Sequence, residues 1–165
     1  MHQDDIYLRW LAEEQTAHIK GWDFSHIADR YTEEDDLPWD YRARVLHYLK
    51  PDARLLDIDT GGGEFLLSLN HPCRLLAATE AYPPNVLLCQ EKLPPLGVTF
   101  RRAEGSGVLP FENDSFDMVI NRHGDFNPGE IFRVLKPGGR ISICDIVIMK
   151  QIPEELKNDP NMHSC

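Results

Sequence analysis

Apolar residues along this 165-residue chain fall into two regimes. Over residues 6–19 they recur at Ile6, Leu8, Trp10, Leu11, Ala17 and Ile19, a loose helical spacing, with Gly21 behind them as a stop. A second helix is expected over residues 39–49, ended by Pro51. The acidic stretch before it, residues 32–38, reads as a solvated connector. Beyond residue 50, short apolar runs bounded by turn residues alternate with helical patterns. Strands are expected at 55–58, 74–79, 98–101, 116–120 and 140–147. Helices are expected at 64–69, 84–93 and 128–135. Pro83 and Pro84 open the middle one, where a missing amide N–H costs little, and Pro137-Gly138-Gly139 stops the last. Alternating strands and helices imply right-handed crossovers and an open, doubly wound, mostly parallel α/β sheet covered on both faces. With no repeat or low-complexity segment, the chain reads as one globular unit. An N-terminal helical cap is expected over residues 1–50 and an α/β domain over 51–165.

The first strand runs into the most informative stretch, Leu55-Leu56-Asp57-Ile58-Asp59-Thr60-Gly61-Gly62-Gly63, and Glu64-Phe65-Leu66-Leu67 opens a helical pattern behind it. Strand, glycine turn and helix start make a place for a nucleotide-like ligand, because glycines admit close backbone approach and the helix start offers unpaired N–H groups. A dinucleotide fingerprint would need G-x-G-x-x-G, and its third glycine falls on Leu66. A phosphate loop needs a lysine after its last glycine, and no lysine occurs from residue 51 to 91.

The remaining pattern, apolar-apolar-Asp-x-x-x-Gly-x-Gly, resembles motif I of the class I S-adenosylmethionine-dependent methyltransferases. The resemblance continues through Glu80, 23 positions after Asp57, and through Arg102-Ala103-Glu104 after the third strand. It takes in Leu109-Pro110-Phe111, Asp114 to Ile120, and Phe132-Arg133-Val134-Leu135-Lys136-Pro137-Gly138-Gly139. It covers residues 52–147 in the family's order. The resemblance implies S-adenosyl-L-methionine as cofactor. Asp57 would orient the glycine loop or the methionine end, and Asp59, Thr60, Gly61, Gly62 and Gly63 would line it. Glu80, with Ala81 beside it, would hold the ribose hydroxyls, Ala103 and Glu104 would meet the adenine, and Asn121 would bond to the cofactor's amino group. Residues 79–85 and Ile120-Asn121-Arg122-His123 are similar to a branch of small bacterial methyltransferases. One position departs from the pattern: Asp59 stands where the family usually has glycine. There it could face the cofactor's ammonium, and it could also repel the carboxylate or force a positive φ; lower cofactor affinity than with glycine is expected.

Methyl transfer from a sulfonium is an in-line displacement with a leaving group already activated, so positioning and water exclusion dominate. A base is needed only if the acceptor carries a proton. His123, after the fourth strand, is the candidate, with a loop histidine bonded to backbone as the alternative. Trp22, Phe24, Trp39 and Tyr41 either form a lid or staple the N-terminal helices to the core. Toward the C-terminus, Asp145-Ile146-Val147 and Ile152 to Pro160 resemble the segment after strand five of arsenite methyltransferases, in which a cysteine near the place of Cys165 binds arsenic. Only five strands are evident, which leaves a sheet edge open. A truncated chain, a fusion and a homodimer pairing through that edge are all compatible with this.

Composition narrows the partners. A net charge of −10 argues against a broad nucleic-acid footprint and for a small-molecule substrate. No apolar run reaches the roughly 20 residues of a membrane span. Met1-His2-Gln3-Asp4-Asp5 lacks the order of a signal peptide. Cys73, Cys89, Cys144 and Cys165 form no C-x-x-C pair and no metal pattern. A cytoplasmic protein is the expectation, with no metal site. Two rivals to an active methyltransferase stand: a module that binds the cofactor without catalysis, and a dehydrogenase, which Leu66 disfavours.

Overall fold

The computed structural model describes residues 3–17, 20–30, 32 and 39–144. Five strands, β1 (Leu55–Ile58), β2 (Leu76–Glu80), β3 (Thr99–Arg102), β4 (Phe116–Arg122) and β5 (Leu135–Cys144), form one sheet in the order β3-β2-β1-β4-β5. Every pairing is parallel. β1 and β2 are buried along their whole lengths. That is why they read as unbroken apolar runs instead of alternating ones: both faces are covered.

Successive residues on a strand point to opposite faces, so the sheet divides two cores. On one face Leu55, Ala78, Met118 and Ile120 pack with Val45 of α2 (Tyr41–Tyr48), Leu66 of α3 (Glu64–Ser68) and Val86 and Cys89 of α4 (Pro83–Lys92). On the other, Leu56, Ile58, Ala77 and Val119 meet Ile131 and Val134 of α5 (Pro128–Val134). Each such side chain contributes about 1.5–3 kcal/mol when fully buried. α2 is fixed at its N-terminal end. Asp40 caps it by accepting from Ala43 N (2.7 Å), and Tyr41 stacks on Phe65 and donates from its hydroxyl to Ser142 O (2.8 Å). The first helix, numbered α1 (Gln3–Ala17), leaves Tyr7, Leu8 and Trp10 exposed.

Most boundaries shift by one to three residues from the sequence reading, and three shifts have a visible cause. β2 starts at Leu76, not at residue 74, because Cys73–Leu75 close a 3-10 turn with Leu75 N donating to Pro72 O (2.8 Å). β4 runs on to Arg122 because Asn121 and Arg122 pair with Ile143 and Cys144. β5 starts at Leu135, and Pro137-Gly138-Gly139 sits within it as an irregularity: Leu135 pairs with Phe116, but the next partner, Met118, faces Arg140. Residues 18 and 19, most of the acidic connector and everything from 145 onward, Cys165 included, lie outside the described residues.

The chain turns one way from β1 to β2 and β3 and the other way to β4 and β5. Ligands of open α/β sheets bind at such a reversal, outside the carboxyl ends of the strands. Here those ends deliver Asp59, Glu80 and Arg122-His123.

Candidate functional site

The loop after β1 closes on itself before it meets any ligand. Thr60 N donates to Thr79 O (3.0 Å) and Gly63 N to Thr60 O (3.1 Å), while Thr60 Oγ1 donates to Asp57 Oδ2 (2.6 Å). Gly61 has φ +67°, and a Cβ there would lie 2.7 Å from Trp22 Nε1, so glycine is required on both counts. Asp59 has φ +54°, a conformation that Asp adopts at some cost. The strain expected there is present.

Acids from the chain itself take the loop's amides. Gly61 N donates to Glu80 Oε2 (2.8 Å) and Gly62 N to Glu64 Oε2 (3.0 Å). The outer side is held by α4, where Lys92 Nζ donates to Gly62 O (2.9 Å) and Cys89 Sγ to Gly61 O (3.1 Å). Glu64, Lys92 and Cys89 were not singled out from sequence. Their roles come from a long-range packing of α4 on the loop that leaves no local signal.

Glu80 is 5% exposed. Its Oε1 accepts from Ala81 N (2.9 Å) and Tyr82 N (3.0 Å), and its Oε2 accepts from Gly61 N and, at 3.4 Å, from Asn85 Nδ2. The Asn85 contact is the weakest of the four and the one a ligand hydroxyl would displace. Asn85 Oδ1 in turn accepts from Gly21 N (2.6 Å), which holds residues 21–24 across the cleft.

Two cavities follow the carboxyl edge. One, of about 180 Å³, is lined by Trp22, Asp59, Gly61, Glu80, Arg122 and His123 among others. The next, of about 350 Å³, is lined by Ala81, Arg102, Ala103, Glu104, Gly107 and Val108. Glu80 lines the first and its neighbour Ala81 the second. The first cavity is acidic. Burial pushes the Asp59 carboxyl up to about 6, and Glu80, Asp125 and Glu104 add to the shift. Burial likewise pushes Asp57 up to about 7, against the opposing pull of the Thr60 hydroxyl and Arg122. Cys89 is raised to about 12 by burial and the neighbouring acids, so it stays a thiol. A further cavity, of about 370 Å³, opens near Lys50, Asp117 and Lys136, at the amino ends of the strands and away from the reversal.

Arg122 crosses the cleft wall. Its guanidinium lies over the Phe65 ring at 4.1 Å and the Trp22 ring at 4.9 Å, and makes no hydrogen bond or ion pair among the described residues. His123 has φ +64°, donates from its backbone N to Cys144 O (3.0 Å) and sets its ring edge-on to Trp22 at 5.7 Å. Asn121 is fully buried on the other face of the sheet, with Nδ2 donating to Ile58 O (3.4 Å) and Oδ1 without a partner among the described residues. Trp22 Nε1 is also buried and unpartnered. The aromatic set thus divides: Trp22 and Phe24 line the cleft, whereas Tyr41 is a staple.

The family described as a methyltransferase domain matches residues 56–143. Demethylmenaquinone methyltransferase of Thermus thermophilus is 32% identical over 139 residues, covering 74% of this chain and 63% of that protein. Phthiotriol/phenolphthiotriol dimycocerosates methyltransferase of Mycobacterium leprae is 32% identical over 103 residues, covering 56% and 37%. The chain therefore spans less than two thirds of the length of either relative. Among solved structures, a SAM-dependent methyltransferase from Aquifex aeolicus superposes with a TM-score of 0.52 at 21% identity, over 70% of this chain and 69% of that one. The YcgJ protein of Bacillus subtilis gives 0.52 at 24% identity, over 64% and 50%. These structures share the fold.

Proposed function

The chain belongs to the methyltransferase-domain family, and on that premise we propose that it binds S-adenosyl-L-methionine along the carboxyl edge of its sheet and methylates a small-molecule acceptor. The observation that carries this reading is the pair of cavities at the sheet's carboxyl edge, one lined by Glu80 and the other by its neighbour Ala81. The methionine end takes the cavity over Gly61, the ribose meets Glu80, and the adenine lies against Ala103 and Glu104. The site's chemistry fits the cofactor. Asp59 and Glu80 line the first cavity and Glu104 the second, acids suited to a ligand with a sulfonium and an ammonium. Of the three buried side-chain atoms without a hydrogen-bond partner among the described residues, Trp22 Nε1, Thr79 Oγ1 and Asn121 Oδ1, the first belongs to a residue that lines the cavity over Gly61.

When bound, the cofactor supplies a methyl group on a sulfonium leaving group, transferred by in-line displacement. The protein's part is to hold and shield. Asp57 and Thr60 set the turn that presents Gly61, and Gly62 and Gly63 carry it into α3. Asp59 faces the cofactor's ammonium, and Asn121, on the opposite face, braces the end of β1 through Ile58 O instead of reaching the ligand. Trp22 and Phe24, from the N-terminal part of the chain, exclude water from the methionine end. His123, at the rim, takes a proton if the acceptor has one to lose. The acceptor class follows the relatives, which are named for demethylmenaquinone and phthiotriol. We place the protein in the cytoplasm, and a second copy pairing along β5, where Ile141 and Ile143 are each 41% exposed, is the proposed protein partner.

One observation favours a cofactor-binding module without transfer: Asp59, at φ +54°, stands strained in the loop where the family usually has glycine. Calorimetry with S-adenosylmethionine and S-adenosylhomocysteine tests the shared part of both readings. Wild type should bind both. Glu80→Ala, which strips acceptors from Gly61 N, Ala81 N and Tyr82 N as well as from the ribose, should bind at least about tenfold more weakly. No binding by wild type, or unchanged affinity in the variant, sinks the assignment. Methyl transfer to a demethylmenaquinone-type acceptor then separates enzyme from inert module.

A further inference from the structure

A zwitterionic methionine end brings a carboxylate into a cleft whose wall is acidic, and the usual receptors for an anion are already taken. Backbone amides at a glycine turn ordinarily serve that purpose. Here Gly61 N is bonded to Glu80, Gly62 N to Glu64 and Gly63 N to Thr60 O. The carboxylate must find other donors.

Two unspent donors converge over Gly61. The Arg122 guanidinium has five N–H groups in a rigid fork, and among the described residues none is used in a hydrogen bond or ion pair. Stacking between Phe65 and Trp22 fixes its plane without consuming an in-plane donor. The second donor is Trp22 Nε1, buried, unpartnered and in contact with Gly61. Both side chains line the same small cavity, and Asp59 lines it as well. A buried donor left unmade costs free energy, so Trp22 Nε1 is tuned for a ligand and not for the ligand-free chain, and the half-buried Arg122 fork stands beside it in the same cavity.

We propose that Arg122 and Trp22 Nε1 together hold the carboxylate of the cofactor's methionine end, with Asp59 taking its ammonium. The inference rests on the S-adenosylmethionine reading above and deepens it. Arg122 is then a cofactor-positioning residue placed by β4, and Trp22 is both the wall of the cleft and a donor within it.

The test compares two ligands that differ at this end. S-adenosylhomocysteine carries the amino-acid group, whereas 5′-methylthioadenosine shares the nucleoside and thioether and lacks it. In calorimetry on wild type, Arg122→Gln, Arg122→Lys and Trp22→Phe, Arg122→Gln should weaken S-adenosylhomocysteine by about tenfold or more while methylthioadenosine stays within about twofold. Trp22→Phe, which keeps the ring and removes the N–H, should show a smaller loss of the same selective kind. Arg122→Lys should fall between wild type and Arg122→Gln. Equal losses for both ligands, or no loss for either, overturn the inference and leave the function reading in place. If wild type binds neither ligand, both fall.

Discussion

At the level of single residues, Asp57 sets fold against function most directly. It lies in the sheet with its carboxyl pushed up to about 7 by burial, and the Thr60 hydroxyl is its hydrogen-bond donor. A carboxyl whose folded value stands above its unfolded value of 3.8 binds protons more tightly in the native state. Stability from this group is therefore full below pH 3.8 and is lost as pH rises to about 7. Asp57→Asn removes that loss and keeps an acceptor for Thr60. It should raise stability at pH 8 by an amount of order 2 kcal/mol and change little at pH 4. Melting curves at the two values check this, and a gain independent of pH would show that burial of the charge is not the cause. Such a gain is what functional acids often cost their fold. The residues legible in the sequence were those whose role is local: Asp57, Gly61 and Gly63 belong to one turn, and Glu80 ends the adjacent strand. Arg122 stood in a quoted segment but with no role, because its meaning depends on Phe65 and Trp22, far away in the chain. Lys92 and Cys89 were silent for the same reason.

At the level of elements, two segments that the family resemblance treats separately are one device. Arg133 of α5 donates to Leu109 O (2.8 Å) and Phe111 O (2.7 Å), and Glu130 Oε2 accepts from Leu109 N (2.8 Å). The approach to β4 is thereby clasped to the helix before β5, so Leu109-Pro110-Phe111 and Arg133-Val134-Leu135 occur together for a physical reason. The Glu130 carboxyl, held down to about 2 chiefly by Arg133 and then by Leu109 N, stays ionised across the working range. The clasp depends on where α5 begins. Asn127 Oδ1 accepts from Gly129 N (3.0 Å) and Glu130 N (3.3 Å), with Pro128 at the first helical position. Asn127→Ala should cost about 1 kcal/mol, seen as a drop in Tm of about 2–4 °C, and an unchanged Tm would mean that the cap is not what starts α5. Strand and helix types were readable throughout the α/β part because apolar runs and turn residues alternate cleanly. The extent of β5 was not. Pro137-Gly138-Gly139 breaks a helix and also suits an irregularity within a strand, and only the pairing with Phe116 and Met118 decides between them.

Across the whole molecule, the net charge of −10 is not spread evenly, and its concentration at the carboxyl edge makes a prediction about ligand choice. Glu80, Asp125 and Glu104 act on Asp59 there, and Asp59 and Glu80 act on Asp57 below them. S-adenosylmethionine and S-adenosylhomocysteine share every group except the sulfonium, which gives the former one extra positive charge. A charge pair across a few ångströms of partly buried space is worth of order 1 kcal/mol. The Asp59 carboxyl, raised to about 6, is ionised at pH 7.5 and takes a proton as pH falls through that value. The cleft then loses a negative charge, and the sulfonium loses more than the thioether does. The ratio of affinities, S-adenosylmethionine over S-adenosylhomocysteine, should therefore fall severalfold between pH 7.5 and 5.5 at low salt. The fall should be smaller at high salt, which screens the exposed part of the field. Asp59→Asn should flatten the pH dependence while leaving the ribose contact at Glu80 in place. Calorimetric titrations of both ligands at the two pH values, on wild type and variant, read the ratio directly. A wild-type ratio that does not move with pH, or a slope that survives Asp59→Asn, would mean that the acids shape the loop and do not select the ligand's charge.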